Sequence, residues 1–199
     1  MDNLKTSFGK RKVSPNVKTS LVQELFSNVA KNYDLMNDLM SLGLHRLWKK
    51  ELVDMMNIQI TDTIIDVGSG TGDVINLILK KELIKTIHSV DLNNEMLKYG
   101  KKRFNNKKIK FIKANAQNLP FKNNYFDKYI ISFCLRNITN TKKALKEAYR
   151  ILKPGGLFYC LEFSTPESDL INYIYNNYKK NIIPWIGKKI AKNKQAYEY

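Results

Sequence analysis

Cysteine, histidine and arginine are the scarce side chains of this chain, with two, two and five copies among 199 residues. Cys134 and Cys160 stand in separate apolar runs, which argues against a disulfide framework and for a reducing compartment. A chain of this length buries a core large enough to fold without such staples. No cysteine pair has zinc spacing and the two histidines are isolated, so no metal is expected. Long apolar runs are also missing. Those present, such as residues 129–135, fall far short of the roughly 18 residues that a membrane span requires. No apolar signal-type segment follows the N-terminus. The expectation is one soluble or at most peripheral domain.

Basic charge is in excess, with 34 Lys plus Arg against 18 Asp plus Glu, a net +16. Yet 29 of the basic residues are lysines, and arginine is the one that forks onto phosphates and guanine edges. Lysine is enriched together with 22 Asn and 20 Ile, a pattern of genome-wide codon bias more than of a nucleic-acid footprint. No specific nucleic-acid partner is expected, while the charge suits an anionic membrane surface. Residues 170–197 sharpen that point. They hold six lysines and no acidic residue, interleaved with Tyr173, Tyr175, Tyr178, Ile182, Ile183 and Trp185, which suits either an interfacial helix or apolar packing on the sheet with lysines that reflect the composition bias.

From residue 62 onward, β-branched runs at 63–67, 86–91, 109–113, 128–133 and 157–163 alternate with helical patterns at 74–81, 94–104 and 142–152. That order predicts an α/β fold, a parallel sheet covered on both faces, and near-continuous apolar strands fit such burial. Residues 115–124 are Asn-rich and read as loop with at most one turn. Residues 1–19 read as a flexible basic N-terminus. A single domain then fills 20–199: a helical substrate cap at 20–57, the Rossmann-like core at 62–165 and the basic, aromatic segment at 167–199. Helices before the first strand are not sheet crossovers, which leaves them to cover the carboxyl end of the sheet, where open α/β folds bind ligands.

The run Ile64-Ile65-Asp66-Val67-Gly68-Ser69-Gly70-Thr71-Gly72-Asp73 puts three glycines between the first strand and a helix. Such a loop lets backbone N–H groups approach a ligand closely. A dinucleotide fingerprint would have Gly at position 73, where this chain has Asp73. An acid there suits the helix N-terminus but repels a pyrophosphate. Asp91 ends the second strand 25 residues after Asp66, where doubly wound folds grip a ribose diol. A nucleoside without phosphates is therefore expected. S-adenosylmethionine fits, with adenosine for Asp91, an amino-acid tail for the glycine loop and a sulfonium that tolerates nearby acids.

Several further blocks carry a family resemblance: residues 29–41 (VAKNYDLMNDLMS), 43–49 (GLHRLWK), 114–116 (ANA) with 119–121 (LPF), 135–139 (LRNIT) and 161–164 (LEFS). With the glycine loop and the Lys153-Pro154-Gly155-Gly156 turn, they make the chain resemble the ubiquinone/menaquinone biosynthesis C-methyltransferases. These are the 2-polyprenyl-6-methoxy-1,4-benzoquinol methylases and demethylmenaquinone methyltransferases. The resemblance implies a class I S-adenosylmethionine-dependent methyltransferase fold and C-methylation of a polyprenylated quinol ring. It implies that Thr71, Asp91, Asn115, Ala116 and Ser132 contact the cofactor, beside Asp66, Gly68, Gly70 and Gly72, which the glycine loop itself makes cofactor-binding candidates. The family departs from this chain at Cys134, where it carries Gly. Its sheet also continues beyond residues 196–199, so the last strands are expected to be missing.

Ring methylation requires an electron-rich carbon, which a quinol acquires as a phenolate. Arg136 would stabilise that anion, with Asn137 as its hydrogen-bond partner. Neither residue is a base at neutral pH. His45 is a candidate proton acceptor with a packing role as the rival reading, and Tyr33 or Phe133 could face the sulfonium. His88, inside a strand, reads as structural. An insoluble prenyl tail implies a peripheral enzyme, cytoplasmic on the inner membrane of a bacterium or on the matrix side of the mitochondrial inner membrane, alone, as a homo-oligomer or in a quinone-synthesis assembly. Two alternatives remain at this point: a nucleic-acid methyltransferase, with Cys134 as a nucleophile, and a shortened, non-catalytic scaffold.

Overall fold

Ile, Val and aromatic runs pair into one five-stranded parallel sheet, ordered 109–113, 87–91, 64–67, 126–132 and 152–161. The computed structural model describes residues 6–9, 11–81, 84, 86–104 and 106–163. Its strands are β3 (Ile64–Val67), β4 (Ile87–Asp91), β5 (Ile109–Lys113), β6 (Phe126–Ser132) and β7 (Leu152–Leu161). Between them lie α4 (Asp73–Leu79), α5 (Asn94–Arg103) and α6 (Thr141–Ile151). The chain leaves β3 toward β4 on one side and later returns to β6 on the other. The crevice at this reversal is where doubly wound sheets take their ligand. Residues 115–124 contain no helix, as expected, and only an isolated bridge joins Asn115 to Asn118.

Two compact units divide the described residues, one holding those up to Arg46 together with Phe163 and the other Leu47–Glu162. In the first, the stretch expected to be a flexible tail pairs β1 (Thr6–Phe8) with β2 (Arg11–Val13). Helix α1 (Pro15–Val29) opens five residues earlier than the apolar pattern indicated. The reason is local: Ser14 is extended and Pro15 occupies the first turn, where its fixed φ suits a helix and its missing N–H costs nothing. After a 3-10 turn at Ala30–Asn32 come α2 (Tyr33–Ser41) and α3 (Leu44–Met55). The basic C-terminal segment at 167–199 lies outside the described residues, as does Ser164.

In the second unit, strand alternation sorts the core onto two faces. Ile64 and Ile130 pack with Leu52 and Val53 of α3, with Met56 just beyond it, and with Val74, Ile75 and Ile78 of α4. Their neighbours Ile65 and Ile131 face the other way, onto Ala144, Ala148 and Ile151 of α6. Each fully buried Ile or Val contributes roughly 1.5–3 kcal/mol, so the sheet's two faces carry most of the unit's stability. Asp66 follows Ile64 by two residues and therefore points to the α3 and α4 face. That parity places a carboxylate inside an apolar layer.

Side chains close the ends that the backbone leaves open. Asn93 accepts from the N–H groups of Glu95 and Met96 at the start of α5, and Asn140 from Lys143 N–H at the start of α6. Arg150 holds the irregular loop after β5, donating to the carbonyls of Leu119 and Phe121 while paired with Glu147. Glu147 in turn accepts from Leu119 N–H at 2.8 Å. The Lys-Pro-Gly-Gly turn lies inside β7, where the register against β6 shifts between Phe126 and Lys128. A proline without an N–H is tolerated at such an irregularity.

Candidate active site

The carboxyl ends of β3, β4, β5 and β6 converge around the glycine loop. Gly68 and Ser69 donate to Val90 O at 2.8 and 3.1 Å, so the loop after β3 is stitched to the end of β4. Asp91 completes the seam, accepting from Gly70 N–H at 2.9 Å and from Asn93 N–H at 2.7 Å. Ser69 and Ser89 share a hydroxyl hydrogen bond of 2.8 Å. Asp66, Gly68, Gly70, Thr71, Gly72 and Asp91 are thereby brought together. Ala114 N–H bonds to Asp91 O, which sets Asn115 and the buried Ala116 beside that strand end. Asn115 Oδ1 closes its own turn on Gln117 N–H at 2.9 Å.

Two glycines are there for space as well as turn geometry. Gly68 has φ +71°, and a Cβ on it would stand 2.2 Å from Cys134 Sγ. Gly72 has φ +90°, and its Cβ would stand 2.6 Å from the Phe104 ring. Burial pushes the Cys134 thiol up, which leaves it protonated at neutral pH and removes the nucleophilic thiolate reading. Its role is packing against the loop.

Charge at the site is concentrated on few groups. Asp66 is 1 % exposed, and its Oδ2 is buried with no hydrogen-bond partner among the described residues; Ser132 Oγ is in the same condition. Burial raises the Asp66 carboxyl to about 7, opposed by Lys49 and reinforced by Asp91 and Asp73. Burial also raises Asp91, against the N–H groups of Asn93, Gly70 and Leu92. Asp73 differs: burial would raise it, but Lys49 at 2.9 Å and Arg103 at 2.9 Å outweigh that and hold it below the ordinary range.

The remaining candidates fall into two groups. Arg136 and Asn137 occupy a 3-10 turn, Leu135–Asn137, directly beyond β6. Arg136 is exposed and ion-paired with Glu162, which also accepts from its backbone N–H at 3.1 Å. Asn137 is buried and its N–H bonds to Cys134 O. The cation facing the Phe133 ring is Lys49, 6.0 Å from its centroid, and Tyr33 packs edge-on against Phe26. His45 is tied to Asp38 at 2.9 Å, and Arg46 holds that carboxyl down to about 2, with His45 adding to the effect. His88 meets the edges of Phe121 and Phe126, a structural role, and burial lowers its pKa.

Lys49 and Glu162 are the functional candidates that motif reading passed over. The signal for Lys49 was present. It sits three and four residues before Leu52 and Val53 on the buried stripe of α3, and a lysine on such a stripe demands a counterion. Nothing in the sequence pairs Glu162 with Arg136, because the two belong to different strand ends that meet only in the sheet.

A profile of the ubiE/COQ5 methyltransferase family matches residues 14–199. The chain is 50% identical over 205 residues to the ubiquinone/menaquinone biosynthesis C-methyltransferase UbiE of Rickettsia prowazekii, covering 98% of this chain and 81% of that protein. Identity to the Rickettsia bellii protein of the same name is 47% over 204 residues, with the same coverage. Among solved structures, an S-adenosylmethionine-dependent methyltransferase from Methanococcus maripaludis superposes with a TM-score of 0.62 at 22% identity, covering 84% of this chain and 76% of that one. A methyltransferase from Thermotoga maritima gives 0.60 at 24% identity, covering 79% and 68%. These structural neighbours show the class I methyltransferase fold.

Proposed function

The chain belongs to the ubiE/COQ5 methyltransferase family, and we propose that it transfers a methyl group from S-adenosylmethionine to a ring carbon of a quinol in ubiquinone or menaquinone biosynthesis. The observation that carries this reading is the conjunction of family membership with a glycine loop stitched to Asp91 beside an orphaned, buried Asp66. S-adenosylmethionine supplies an electrophilic methyl on a sulfonium. The residues present fit it. Asp66 Oδ2 is a partnerless acceptor suited to an ammonium, Asp91 to ribose hydroxyls, Asn115 and the Ala116 backbone to an adenine edge, and Ser132 Oγ to a polar group of the same ligand.

Arg136 and Asn137 take the quinol end. A guanidinium fixed by Glu162 beyond the end of β6 lowers the cost of a phenolate, whose charge flows to the ring carbon that accepts the methyl. Holding the reactants in line supplies roughly 7–11 kcal/mol more. Among the described residues no helix is long and apolar enough to cross a membrane. A prenylated substrate resides in a membrane, and the chain's positive charge favours contact with an anionic membrane surface.

Family membership favours the quinol reading over the nucleic-acid reading that the charge had opened. Turnover decides the scaffold reading. Labelled S-adenosylmethionine is mixed with short-chain demethylmenaquinol or short-chain methoxybenzoquinol, each kept reduced, and ring-methylated product is scored by mass. Product from either ring is expected; cofactor binding without product would replace the enzyme with a scaffold. At the cofactor end, Asp91→Asn is expected to weaken S-adenosylmethionine binding by about 10- to 100-fold, the loss of charge-assisted hydrogen bonds. Calorimetry reads it, and an unchanged Kd would remove Asp91 from the site.

A further inference from the structure

β6 ends at Ser132, and the residue after it breaks the alternation of the strand. Ile131 faces α6, and continued alternation would send Phe133 to the same side. Phe133 instead has φ +53°, a left-handed backbone that a bulky aromatic rarely takes. Its ring meets α3, the helix that covers the other face. The Trp48 ring lies 6.4 Å from it with the planes 60° apart, and the Lys49 ammonium stands 6.0 Å from its centroid. Two ties hold the turn: Phe133 N–H donates to Leu161 O at 2.7 Å, and Phe133 O accepts from Asn137 Nδ2 at 3.5 Å. Backbone strain that the surroundings hold in place in this way clusters at ligand sites.

Along the chain this turn lies between the two halves of the site. Ser132, one residue before it, carries the buried, partnerless Oγ placed at the cofactor end. Cys134, one residue after it, packs against Gly68 of the glycine loop. Arg136, three residues on, is the guanidinium of the quinol end. The group that must sit between a methyl donor and a phenolate anchor is the ring that receives the methyl. Phe133 is half-buried and Trp48 is 39% exposed, so the pair leaves aromatic surface open at that place. Lys49 already gives the Phe133 ring a cation, which makes it a poor seat for a second one, the sulfonium, and a better seat for an electron-rich ring.

We propose that Trp48 and Phe133 are the binding residues for the aromatic ring of the methyl acceptor, and that the left-handed turn at Phe133 serves to swing its ring from the α6 side to Trp48 for that purpose. The proposal rests on the quinol methyltransferase reading and adds the residues that seat the ring.

The test compares wild type, Trp48→Ala and Phe133→Gly in quinol KM and kcat at saturating S-adenosylmethionine, and in S-adenosylmethionine Kd by calorimetry. The acceptor is short-chain demethylmenaquinol or short-chain methoxybenzoquinol, whichever the wild type methylates. Glycine takes φ +53° freely, so Phe133→Gly removes the ring and keeps the turn. Each variant is expected to raise the quinol KM about tenfold, with kcat within about threefold and the cofactor Kd within about twofold of wild type. Trp48→Phe should recover most of the KM. If Trp48→Ala does not fold, Trp48→Leu keeps apolar bulk at the position without an aromatic ring and is read in the same way. An unchanged quinol KM in an active, folded variant overturns the proposal and makes the pair a packing contact. A cofactor Kd that rises as much as the quinol KM also overturns it, and seats the cofactor on the pair. A wild type that binds S-adenosylmethionine and forms no product on either ring overturns the quinol reading and the proposal with it.

Discussion

Asp66→Asn should make the ligand-free protein more stable at pH 8, by up to about 4 kcal/mol, while impairing cofactor binding. In the folded chain the Asp66 carboxyl sits at about 7, against an ordinary value of 3.8. Below about pH 4 the group is protonated whether the chain is folded or unfolded, and it contributes nothing to the balance. Between those values the folded state binds the proton more tightly, so raising the pH progressively destabilises it. Above about pH 7 the full penalty applies, and the gap of about three pH values sets the ceiling of about 4 kcal/mol. An asparagine has no charge to bury. Urea unfolding of both proteins at pH 4 and pH 8 measures the effect: the variant's advantage should be near zero at pH 4 and several kcal/mol at pH 8. Equal stabilities at pH 8 would mean that the carboxylate is compensated in the free protein. A site residue whose removal stabilises the fold is one that the fold tolerates for the ligand's sake.

Gly68→Ala is expected to destabilise the protein by about 3 kcal/mol, through two separable costs. The first is conformational: φ at Gly68 is +71°, and a side chain in that region costs about 1–2 kcal/mol. The second is steric. The new Cβ would stand 2.2 Å from Cys134 Sγ and 2.6 Å from its Cβ, and the overpacking costs about 1–3 kcal/mol. Adding Cys134→Gly removes the obstruction but not the backbone strain, so the double variant should recover roughly the steric half. Urea unfolding of the two single variants and the double variant separates the terms. A double variant no better than Gly68→Ala would show that the thiol yields freely and that only the backbone matters. Cofactor affinity should fall in both, because the loop's N–H groups move with Gly68.

Much of this site was legible in the chain because its signals are local. Three glycines after a β-branched strand, an acid at the end of the next strand and Asn115-Ala116 after the third are each placed by their own neighbours. A parallel sheet then brings all such strand ends to one edge. The strand limits at 109–113 matched for the same reason. Those of β7 did not. The Lys-Pro-Gly-Gly run carries turn residues, and only pairing with β6 absorbs it into a strand with a shifted register. The early start of α1 at Pro15 escaped an apolar-periodicity reading because capping, and not burial, sets it.

Residues tied by long-range charge were beyond local signals. Arg136 was visible in its motif, but its ion pair with Glu162 exists only where the ends of β6 and β7 adjoin. Phe133 was a candidate for the sulfonium, and the cation that packing gives it is Lys49. His45 was a candidate base, and its Nε2 is tied to Asp38, which leaves it a tie within the turn between α2 and α3.

By itself the sequence determined the α/β order, the glycine loop, the carboxylates at the strand ends and the family, because each depends on residue type and spacing along the chain. Tertiary structure alone decided which charges meet. Lys49, Asp73 and Arg103 are far apart in sequence and within ion-pair distance in space, and Asp66 is perturbed because a whole apolar layer closes over it. Desolvation and Coulomb interaction depend on distance through space, a quantity that no local pattern encodes.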